Sequence, residues 1–493
     1  MYLLGIDIGS SSVKAALVAA DNGQVVADAQ SPDSEMEMLS LRPGWAEQSP
    51  ESWWEQVCRA VRRLLEQVPG ASDQVAGIGI AYQMHGLVVV DKEQKVLRPS
   101  IIWCDSRAVE IGNEAFEAMG PERCLNHLLN SPGNFTASKL KWVQENEIDI
   151  YQRIDKIMLP GDYIAMRLTG EVKTTPEGLS EGILWDFAKD DLADMVLSHY
   201  GFATGLIPEV VPVFSIQGRL GSEAAAATGL QTGTPVSYRA GDQPNNALSL
   251  GVLQPGQVAA TGGTSGVVYG VLERPLADPL SRVNGFAHVN HSPGNPRIGV
   301  LLCINGAGIT YSWLRQQVAQ DGITYDDMER QAEEVVPGSD GLRILPFGNG
   351  AERMLENRSP GAQVLGLQFN RHGRPHLYRA ALEGIAFSFV YGVKILQNMG
   401  VRVTNMRVGN DNLFRSAVFS KTIATLLRCT IEVVETNGAA GAARAAGVAT
   451  GFYASAEEAV ATNKVLMQYG PAEAFEGCLE AYEDWELKLG KFL

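Results

Sequence analysis

The chain opens with MYLLGIDIGSSSVK, residues 1 to 14, and this stretch decides the fold. Tyr2 to Ile8 is apolar except for Gly5 and Asp7, which predicts a short buried strand with one carboxylate near its exit. Gly9 to Ser12 is a turn of small residues, and Val13 to Val18 resumes the apolar run. The stretch therefore predicts a β-hairpin at the start of a sheet.

The turn of this hairpin has the composition of a phosphate-binding loop. Small residues let the backbone N–H groups approach an anion, and hydroxyl groups can donate further hydrogen bonds. Ser11, Ser12 and Lys14 are the candidate phosphate ligands, and Asp7 is suited to hold Mg²⁺, usually through waters. The alternative is an ordinary hairpin whose turn happens to be rich in serine.

A second stretch of the same pattern favours the phosphate interpretation. Residues 257 to 272 read QVAATGGTSGVVYGVL, an apolar strand, a turn that contains Gly263 and Thr264, and another apolar strand. Two such hairpins predict two similar half-molecules that face one nucleotide across a cleft. No Walker A pattern is present and no GxGxxG follows a strand, so the usual mononucleotide and dinucleotide loops are absent.

Length and composition indicate a globular protein of two or three domains. The 493 residues carry a net charge of −16, which argues against a nucleic-acid partner. The six cysteines form no CxxC pair, which is typical of reduced thiols in a cytoplasm. We expect no export signal and no membrane partner, because the start lacks a signal-peptide pattern and no apolar run reaches about 18 residues.

The order of elements suggests a boundary near residues 253–256, which divides the chain into residues 1–253 and 254–493. In the second half, residues 376–399 predict a long buried helix, and residues 438–451 predict a helix of small residues packed closely on its neighbours. Residues 410–412 are expected to cap a helix over 413–427. The last forty residues are expected to form an amphipathic helix on the outside.

Asp242 is the first candidate for catalysis. It follows an apolar strand and lies between Gly241 and Gln243, where a carboxylate projects from a sheet edge into a cleft. In phosphoryl transfer one carboxylate orients and deprotonates the attacking hydroxyl. The alternative is a Gly-Asp turn that only caps the next helix.

A polar cluster at strand ends of the first half is the candidate sugar site, because ligands of open α/β sheets bind outside the carboxyl ends of strands. Its members are Gln83, Met84, His85, Trp103 and Asp105. His85 and Asp105 offer hydrogen bonds to hydroxyls, and Trp103 offers a flat face to the C–H side of a sugar. The alternative for His85 is a structural hydrogen bond. No spacing predicts a tightly held metal, and His288 and His291 are expected in a loop.

These motifs together resemble the FGGY carbohydrate kinases over nearly the whole chain. The resemblance rests on GIDIGSSSVK at the start, QMHG at residues 83–86, WCDSR at residues 103–107, FTASKLKWVQ at residues 135–144, Gly241-Asp242, GGTSG at residues 262–266, and the stretch from Ala362 to Glu383. It implies two ribonuclease-H-like (actin-like ATPase) α/β domains with ATP in the cleft between them.

The resemblance also implies roles for single residues. Asp242 becomes the catalytic base, Asp7 the carboxylate of the Mg²⁺ site, and Met84 and His85 part of the sugar pocket. Gly263 and Thr264 are expected to contact the phosphates. The residues expected on the adenine side are Gly306, Gly409, Asn410 and Asn412.

The implied activity is ATP-dependent phosphorylation of the 5-hydroxyl of D-xylulose in a cytoplasmic enzyme, with a homodimer as the expected assembly. The QMHG stretch favours xylulose over glycerol. Gln243 stands where asparagine is common and is expected to touch the sugar, so ribulose, gluconate and other ketoses remain alternative acceptors. A further alternative, an actin-like ATPase without a sugar acceptor, would have little need for Met84, His85 and Trp103.

Overall fold

The computed structural model describes residues 1–410, 412–475 and 477–493, and for Asn412 the backbone only. The two halves each build one mixed β-sheet. The first sheet consists of β1 (Tyr2–Ile8), β2 (Val13–Ala19), β3 (Val25–Ser31), β4 (Val75–Tyr82), β5 (Gly218–Arg219) and β6 (Pro235–Gly241), in the order β5-β6-β4-β1-β2-β3. The second consists of β7 (Val258–Gly262), β8 (Gly266–Leu272), β9 (Asn284–Ala287), β10 (Ile298–Ile304), β11 (Asn405–Gly409), β12 (Thr430–Val434) and β13 (Val465–Tyr469), in the order β9-β10-β8-β7-β11-β12-β13.

The two sheets share one central arrangement. β1 pairs antiparallel with β2 and parallel with β4, and β7 pairs antiparallel with β8 and parallel with β11. Each half therefore starts with a hairpin and then returns a strand to the other side of its first strand. This repeated topology confirms the predicted pair of ribonuclease-H-like, actin-like α/β units.

Helices cover the sheets and fill the connections between strands. They are α1 (Pro50–Gln67), α2 (Val109–Met119), α3 (Pro121–Leu128), α4 (Thr136–Asn146), α5 (Ile148–Tyr151), α6 (Pro160–Thr169), α7 (Pro176–Glu181), α8 (Asp194–Tyr200), α9 (Ser222–Thr228), α10 (Asp242–Ser249), α11 (Ala307–Gln317), α12 (Tyr325–Glu333), α13 (Arg374–Asn398), α14 (Ala417–Leu427), α15 (Gly438–Ala449), α16 (Ala456–Val460) and α17 (Cys478–Leu489). Short two-stranded pairs join Glu47–Gln48 to Ser100–Ile101, Val88–Val90 to Lys156–Met158, Lys173–Thr174 to Glu209–Val210, Trp185–Asp186 to Asp191–Leu192, and Arg343–Phe347 to Gly361–Leu365.

Helix α13 is the long buried helix that the sequence predicts. It is the one described helix whose length and apolar composition would allow it to cross a membrane, but 83% of its most apolar window is buried inside the protein. Its packing against the second sheet and the neighbouring helices accounts for its apolar surface.

Helix α15 belongs to the second half of the chain but packs on the first sheet. A Cβ added to Gly5 of β1 would lie 1.8 Å from the carbonyl oxygen of Ala439, and one added to Gly79 of β4 would lie 1.9 Å from that of Ala442. The expected close packing is therefore present, and it depends on glycine in the sheet as well as alanine in the helix. Because this helix crosses from one half to the other, the boundary near residue 253 stays a proposal.

Two local expectations in the second half are only partly right, although α16 and α17 do form within the last forty residues. Within the last forty residues β13 forms at the edge of the second sheet, where it pairs antiparallel with β12. Helix α14 begins at Ala417, because the hydroxyl of Ser416 accepts a hydrogen bond from the N–H of Phe419 and caps the helix there. The preceding turn, Asn412–Arg415, is a 3-10 helix.

Candidate active site

The first hairpin turn is held in a fixed shape by its own backbone and by its neighbours. The N–H of Gly9 donates to the carbonyl of Ser12 at 3.0 Å, and the carbonyl of Ser11 accepts from the N–H of Met36 at 2.8 Å. Ser11 and Lys14 are exposed and Ser12 is half-buried. The side chains predicted to contact phosphate are thus accessible on a rigid turn.

The second hairpin turn rests on the start of helix α11. The carbonyl of Gly263 accepts from the N–H of Gly308 at 3.0 Å, and that of Thr264 accepts from Ile309 at 3.1 Å. A Cβ added to Gly308 would lie 2.4 Å from the carbonyl oxygen of Gly263, so this contact requires glycine. The exposed side chain of Thr264 remains free to contact a ligand.

Asp7 lies near the end of β1, opposite Lys14 of β2. Its Oδ2 would be 2.3 Å from a Cβ added to Gly438, the first residue of α15, so the carboxylate sits directly against that helix. Burial raises the pKa of Asp7, and the positive charge of Lys14 partly offsets that rise. The carboxylate belongs to the same cluster as Asp242, since the negative charge of Asp7 also raises the pKa of Asp242.

Asp242 is the first residue of α10 and follows directly on β6. Burial, reinforced by the negative charge of Asp7, raises the pKa of Asp242 to about 7. Gln243 hydrogen-bonds this carboxylate and partly counters the rise in its pKa. A carboxyl group with a pKa near neutrality is well matched to accept a proton from a hydroxyl.

Met84 and His85 lie beside β6, the strand that ends just before Asp242. A Cβ added to Gly241 would lie 2.6 Å from Cγ of Met84, which places Met84 against the end of β6. His85 follows with a φ of 63°, a left-handed conformation that turns its ring back toward α7. The structure therefore brings these two predicted sugar residues next to the predicted base.

The ring of His85 has a defined protonation state. Its Nδ1 lies 3.0 Å from the carbonyl oxygen of Glu181, which can only accept, so Nδ1 carries the proton. Burial, with the positive charge of Lys139, lowers the pKa of His85 to about 3, so the ring is neutral. Nε2 therefore carries no proton and can accept a hydrogen bond from a sugar hydroxyl.

The other predicted sugar residues differ in their accessibility. Gln83 is buried, and its amide donates to Oε1 of Gln48 at 3.1 Å while Gln48 donates to the carbonyl of Ser10 at 2.7 Å. This chain of hydrogen bonds ties the end of β4 to the first hairpin turn. Trp103 is 50% exposed and keeps a free face.

Asp105 requires a correction. Its side chain is fully buried, and its carboxylate accepts from the N–H of Ala46 at 2.6 Å and from Nη2 of Arg107 at 2.6 Å. An internal ion pair of this kind leaves no open face for a sugar hydroxyl. We therefore replace the predicted sugar contact of Asp105 with a structural role.

Several residues around His85 were not singled out from the sequence. Lys139 is fully buried and donates from Nζ to the carbonyls of His85 and Ile102, at 2.8 and 3.0 Å. The rings of Phe135 and Phe286 lie 4.8 and 5.3 Å from that of His85. Phe135 and Lys139 fall within the FTASKLKWVQ stretch, but no local signal marked Phe286, which comes from β9 of the other half.

A cavity of about 400 Å³ opens beside the second hairpin turn. It is lined by Gly263, Thr264, Gly308, Ile309, Tyr311, Ser312, Tyr325, Asp326, Glu329, Leu382, Leu413, Arg415 and Ser416. The rings of Tyr311 and Tyr325 are stacked with centroids 5.7 Å apart. This size and mixture of aromatic and polar walls suit a nucleoside.

The predicted adenine residues do not all reach this cavity. Gly306 is not among the described lining residues: it has a φ of 88°, caps α11, and packs so closely on the strand Arg343–Phe347 that a Cβ there would lie 1.7 Å from the carbonyl oxygen of Pro346. Gly409 and Asn410 are not among the described lining residues, and the side chain of Asn412 lies outside the described part of the chain. The residues of α11 and α12 that form most of the cavity were missed, because their sequence is that of ordinary amphipathic helix.

The donor set at Asp7 and Asp242 is compatible with Mg²⁺ and not with a tightly ligated transition metal. Among the described residues no group of three His, Cys, Asp or Glu side chains could hold a metal ion. Mg²⁺ usually keeps several waters and binds one or two carboxylates together with substrate phosphates. The pair of carboxylates fits that pattern.

Comparison with known proteins agrees with this geometry. Residues 2–249 match the model of the N-terminal domain of the FGGY family of carbohydrate kinases, and residues 258–450 match that of its C-terminal domain. The xylulose kinase of Escherichia coli (strain K12) is 32% identical over 407 residues, which cover 82% of this chain and 80% of that protein. The xylulose kinase of Bacillus subtilis (strain 168) is 28% identical over 469 residues, 93% of this chain and 90% of that one. The crystal structure of xylulose kinase from Rhodospirillum rubrum superposes with a TM-score of 0.89 at 27% identity, over 100% of this chain and 99% of that chain.

Proposed function

Since this chain belongs to the FGGY family of carbohydrate kinases, we propose that it transfers the γ-phosphoryl group of ATP to the 5-hydroxyl of D-xylulose. Sugar kinase activity with ATP follows from the family. The choice of D-xylulose is supported by relatives that are named xylulose kinases and share 28–32% of their residues with this chain. The observation that carries the proposal is the contact of Met84 with Gly241 at the end of β6, directly before Asp242.

In the proposed reaction Asp242 accepts the proton of the 5-hydroxyl as the oxygen attacks the γ-phosphorus. Its pKa of about 7 leaves much of the carboxyl ionised at neutral pH and still basic enough to take a proton. A positioned general base of this kind contributes roughly 10²–10⁴-fold to the rate. Nε2 of His85 and the apolar face of Met84 would orient the remainder of the sugar.

The phosphates of ATP would lie between the two hairpin turns, with the nucleoside in the cavity that Tyr311 and Tyr325 line. Ser11, Ser12 and Lys14 of the first turn and Gly263 and Thr264 of the second are the proposed phosphate ligands. Backbone and side-chain donors at these turns would stabilise the negative charge of the transferring group. Closure of the two halves would exclude water, which Asp242 could otherwise activate.

Asp7 is the proposed carboxylate for Mg²⁺. A bound ion would neutralise the negative charge of the phosphates. Asp7 would hold its hydration shell from the end of β1, and the small residue Gly438 leaves room for the carboxylate there.

A panel of acceptors tests the proposed function. ADP release would be measured with D-xylulose, D-ribulose, glycerol, gluconate and no sugar, for the natural chain, Asp242→Asn and the control Asp194→Asn, whose side chain is exposed and 67% accessible. We expect the highest kcat/KM with D-xylulose, near-complete loss in Asp242→Asn and no change in the control. ADP release that does not depend on a sugar would contradict the proposal. A higher kcat/KM with another acceptor would keep the kinase activity but show that D-xylulose is not the preferred substrate.

We also propose a cytoplasmic location and a homodimer. The location is supported by six cysteines that are all free and by the need for ATP. Fluorescence microscopy of a tagged chain and light scattering in solution test the two statements. A periplasmic or surface signal contradicts the first, and a monomeric mass contradicts the second.

A further inference from the structure

Arg353 belongs to the second half of the chain, yet its guanidinium lies against residues of the first half. Its Cζ is 5.5 Å from the ring centroid of Phe135, and Nη2 would be 2.7 Å from a Cβ added to Gly133. Nη1 donates to Oδ1 of Asn284 at 2.7 Å. Since the ring of Phe135 also packs edge-on against that of His85, Arg353 forms part of the wall around His85.

Among the residues that the structure describes, this guanidinium makes no ion pair within 4 Å, although the negative charge of the neighbouring Glu352 acts on it. The buried Arg107 and Arg98 are paired with Asp105 and Glu47, whereas Arg353 makes its one described side-chain hydrogen bond to the neutral amide of Asn284. Burial lowers the pKa of Arg353, and the charge of Glu352 partly offsets that fall. A partly buried cation with donors to spare is costly unless a ligand supplies acceptors.

The position of Arg353 identifies which part of an acceptor it would meet. Met84 packs against Gly241, the residue before Asp242, and the next residue, His85, packs against the ring of Phe135, over which the guanidinium of Arg353 lies, so a row of contacts runs from the base to the guanidinium. A sugar whose reacting hydroxyl lies at Asp242 presents its far end to His85 and Arg353. In a 2-ketopentose that reacts at O5, the far end carries the C2 carbonyl.

We propose that Arg353 determines acceptor specificity by donating hydrogen bonds to the carbonyl end of the sugar, and so selects ketoses over the corresponding polyols. This inference rests on the proposed function and extends it to the chemistry of the acceptor. A carbonyl oxygen only accepts and lies in the plane of its trigonal carbon, which suits the planar fork of N–H groups of a guanidinium, whereas reduction to a polyol makes that carbon tetrahedral and moves the oxygen out of the plane. A site built to hydrogen-bond one group discriminates strongly against an analogue that lacks it.

The test compares D-xylulose with the two polyols that reduction of its carbonyl produces, xylitol and D-arabinitol. kcat and KM would be measured for each acceptor and for ATP with the natural chain, Arg353→Met, Arg353→Lys and the control Arg358→Met. Arg358 lies five residues further along the same loop and is half exposed. Methionine keeps the apolar stem of the side chain and removes the charged donors. Lysine keeps the positive charge but lacks the planar set of N–H donors that the guanidinium presents.

We expect Arg353→Met to reduce the ratio of kcat/KM for D-xylulose to that for the polyols by about 10- to 100-fold, because a hydrogen bond to a charged group is lost. The loss should appear mainly in KM for the ketose, with KM for ATP unchanged, and Arg353→Lys should recover part of the ratio. The control should match the natural chain.

Three outcomes would overturn the inference, and they are distinguishable. An equal loss for ketose and polyols in Arg353→Met would make Arg353 a structural residue while the proposed function stands. A natural chain that prefers gluconate would assign the guanidinium to a carboxylate acceptor. A natural chain that phosphorylates no ketose would remove the proposed function as well.

Discussion

At the scale of single residues, the candidate site depends on two carboxylates that burial keeps from ionising freely. Asp7 lies in β1 and Asp242 at the start of α10, and burial raises the pKa of each. An isolated carboxylate on the surface would be a weak base at neutral pH. Asp242 becomes a useful base because it is buried and because the negative charge of Asp7 raises its pKa further.

The raised pKa of Asp242 predicts an acidic limit to activity. The base must be ionised to accept a proton, so kcat/KM should fall as the pH drops through about 7, the pKa of this carboxyl. A pH profile with saturating Mg²⁺ and ATP would measure it. A flat profile down to about pH 5 would show that another group accepts the proton.

The same shift predicts an effect on stability. The pKa of Asp242 lies above its ordinary value of 3.8, so the folded chain binds a proton that the unfolded chain releases, and stability is lost as the pH rises from that value through about 7. Asn cannot ionise, so Asp242→Asn removes the loss of stability that ionisation of this buried carboxyl causes. The variant should have a higher Tm than the natural chain at pH 8, and the difference should vanish near pH 4; equal Tm values at pH 8 would contradict the prediction.

Asp7 gives a separate prediction about the metal. Asp7→Ala removes the proposed carboxylate for Mg²⁺, so the Mg²⁺ concentration for half-maximal activity should rise and kcat should fall together. A titration of activity with Mg²⁺ measures both. The control is Asp73→Ala, in the exposed turn before β4. Normal Mg²⁺ activation of the Asp7 variant would remove this residue from the metal site.

At the scale of elements, the contact between helix α15 and the first sheet depends on the absence of side chains. Gly79→Ala would place a Cβ 1.9 Å from the carbonyl oxygen of Ala442, and a backbone atom cannot move aside as a side chain can. The helix would have to shift, at a cost of about 1–3 kcal/mol or more. Since α15 begins beside Asp7, turnover should fall as well.

Thermal unfolding and turnover of Gly79→Ala measure this effect. Gly205→Ala is the matched control, because a Cβ there meets nothing within 4 Å and Gly205 does not have a positive φ. We expect a clear drop in Tm for the first variant and none for the second. Equal Tm values would show that helix and sheet are packed less closely than described.

At the scale of the whole molecule, the two halves are joined by hydrogen bonds at the edge of the second sheet. Asn130 donates from Nδ2 to the carbonyl of Gly285 at 2.6 Å and accepts from its N–H at 3.1 Å, and the hydroxyl of Ser180 accepts from the N–H of Ala287 at 2.9 Å. All these backbone groups belong to β9. The strand also carries Phe286, whose ring lies against His85.

This junction predicts that Asn130 affects sugar binding without touching the sugar. Asn130→Ala leaves buried backbone groups of Gly285 without partners, which costs about 1–3 kcal/mol for each unsatisfied group. The Tm should fall, and KM for the sugar should rise more than KM for ATP, because Phe286 would no longer hold the ring of His85. Equal increases in both KM values would show that the junction only contributes stability.

The sequence predicted those parts of the site that lie at the ends of strands. Asp7, Met84, His85 and Asp242 were all expected near ligand, because an apolar run that stops at a polar residue marks the edge of a sheet. The cavity beside Thr264 was predicted only at its hairpin end. Tyr311 and Tyr325 lie on helices whose pattern of polar and apolar residues records which face is buried, and that pattern does not distinguish a cavity wall from an ordinary surface.

By itself the sequence determined the paired hairpins, the two similar sheets and the carboxylates at their edges, because these follow from short-range alternation and from residues adjacent in the chain. Only the tertiary structure decided that Asp105 forms a buried ion pair and that α15 packs on the sheet of the other half. It also decided that Phe286 and Arg353, from the second half, lie beside His85. The ion pair of Asp105 is local, but its burial brings it against the N–H of Ala46, 59 residues away, and the other two contacts depend on the two halves meeting. Their positions are set by packing across the whole molecule, which no local pattern of residues encodes.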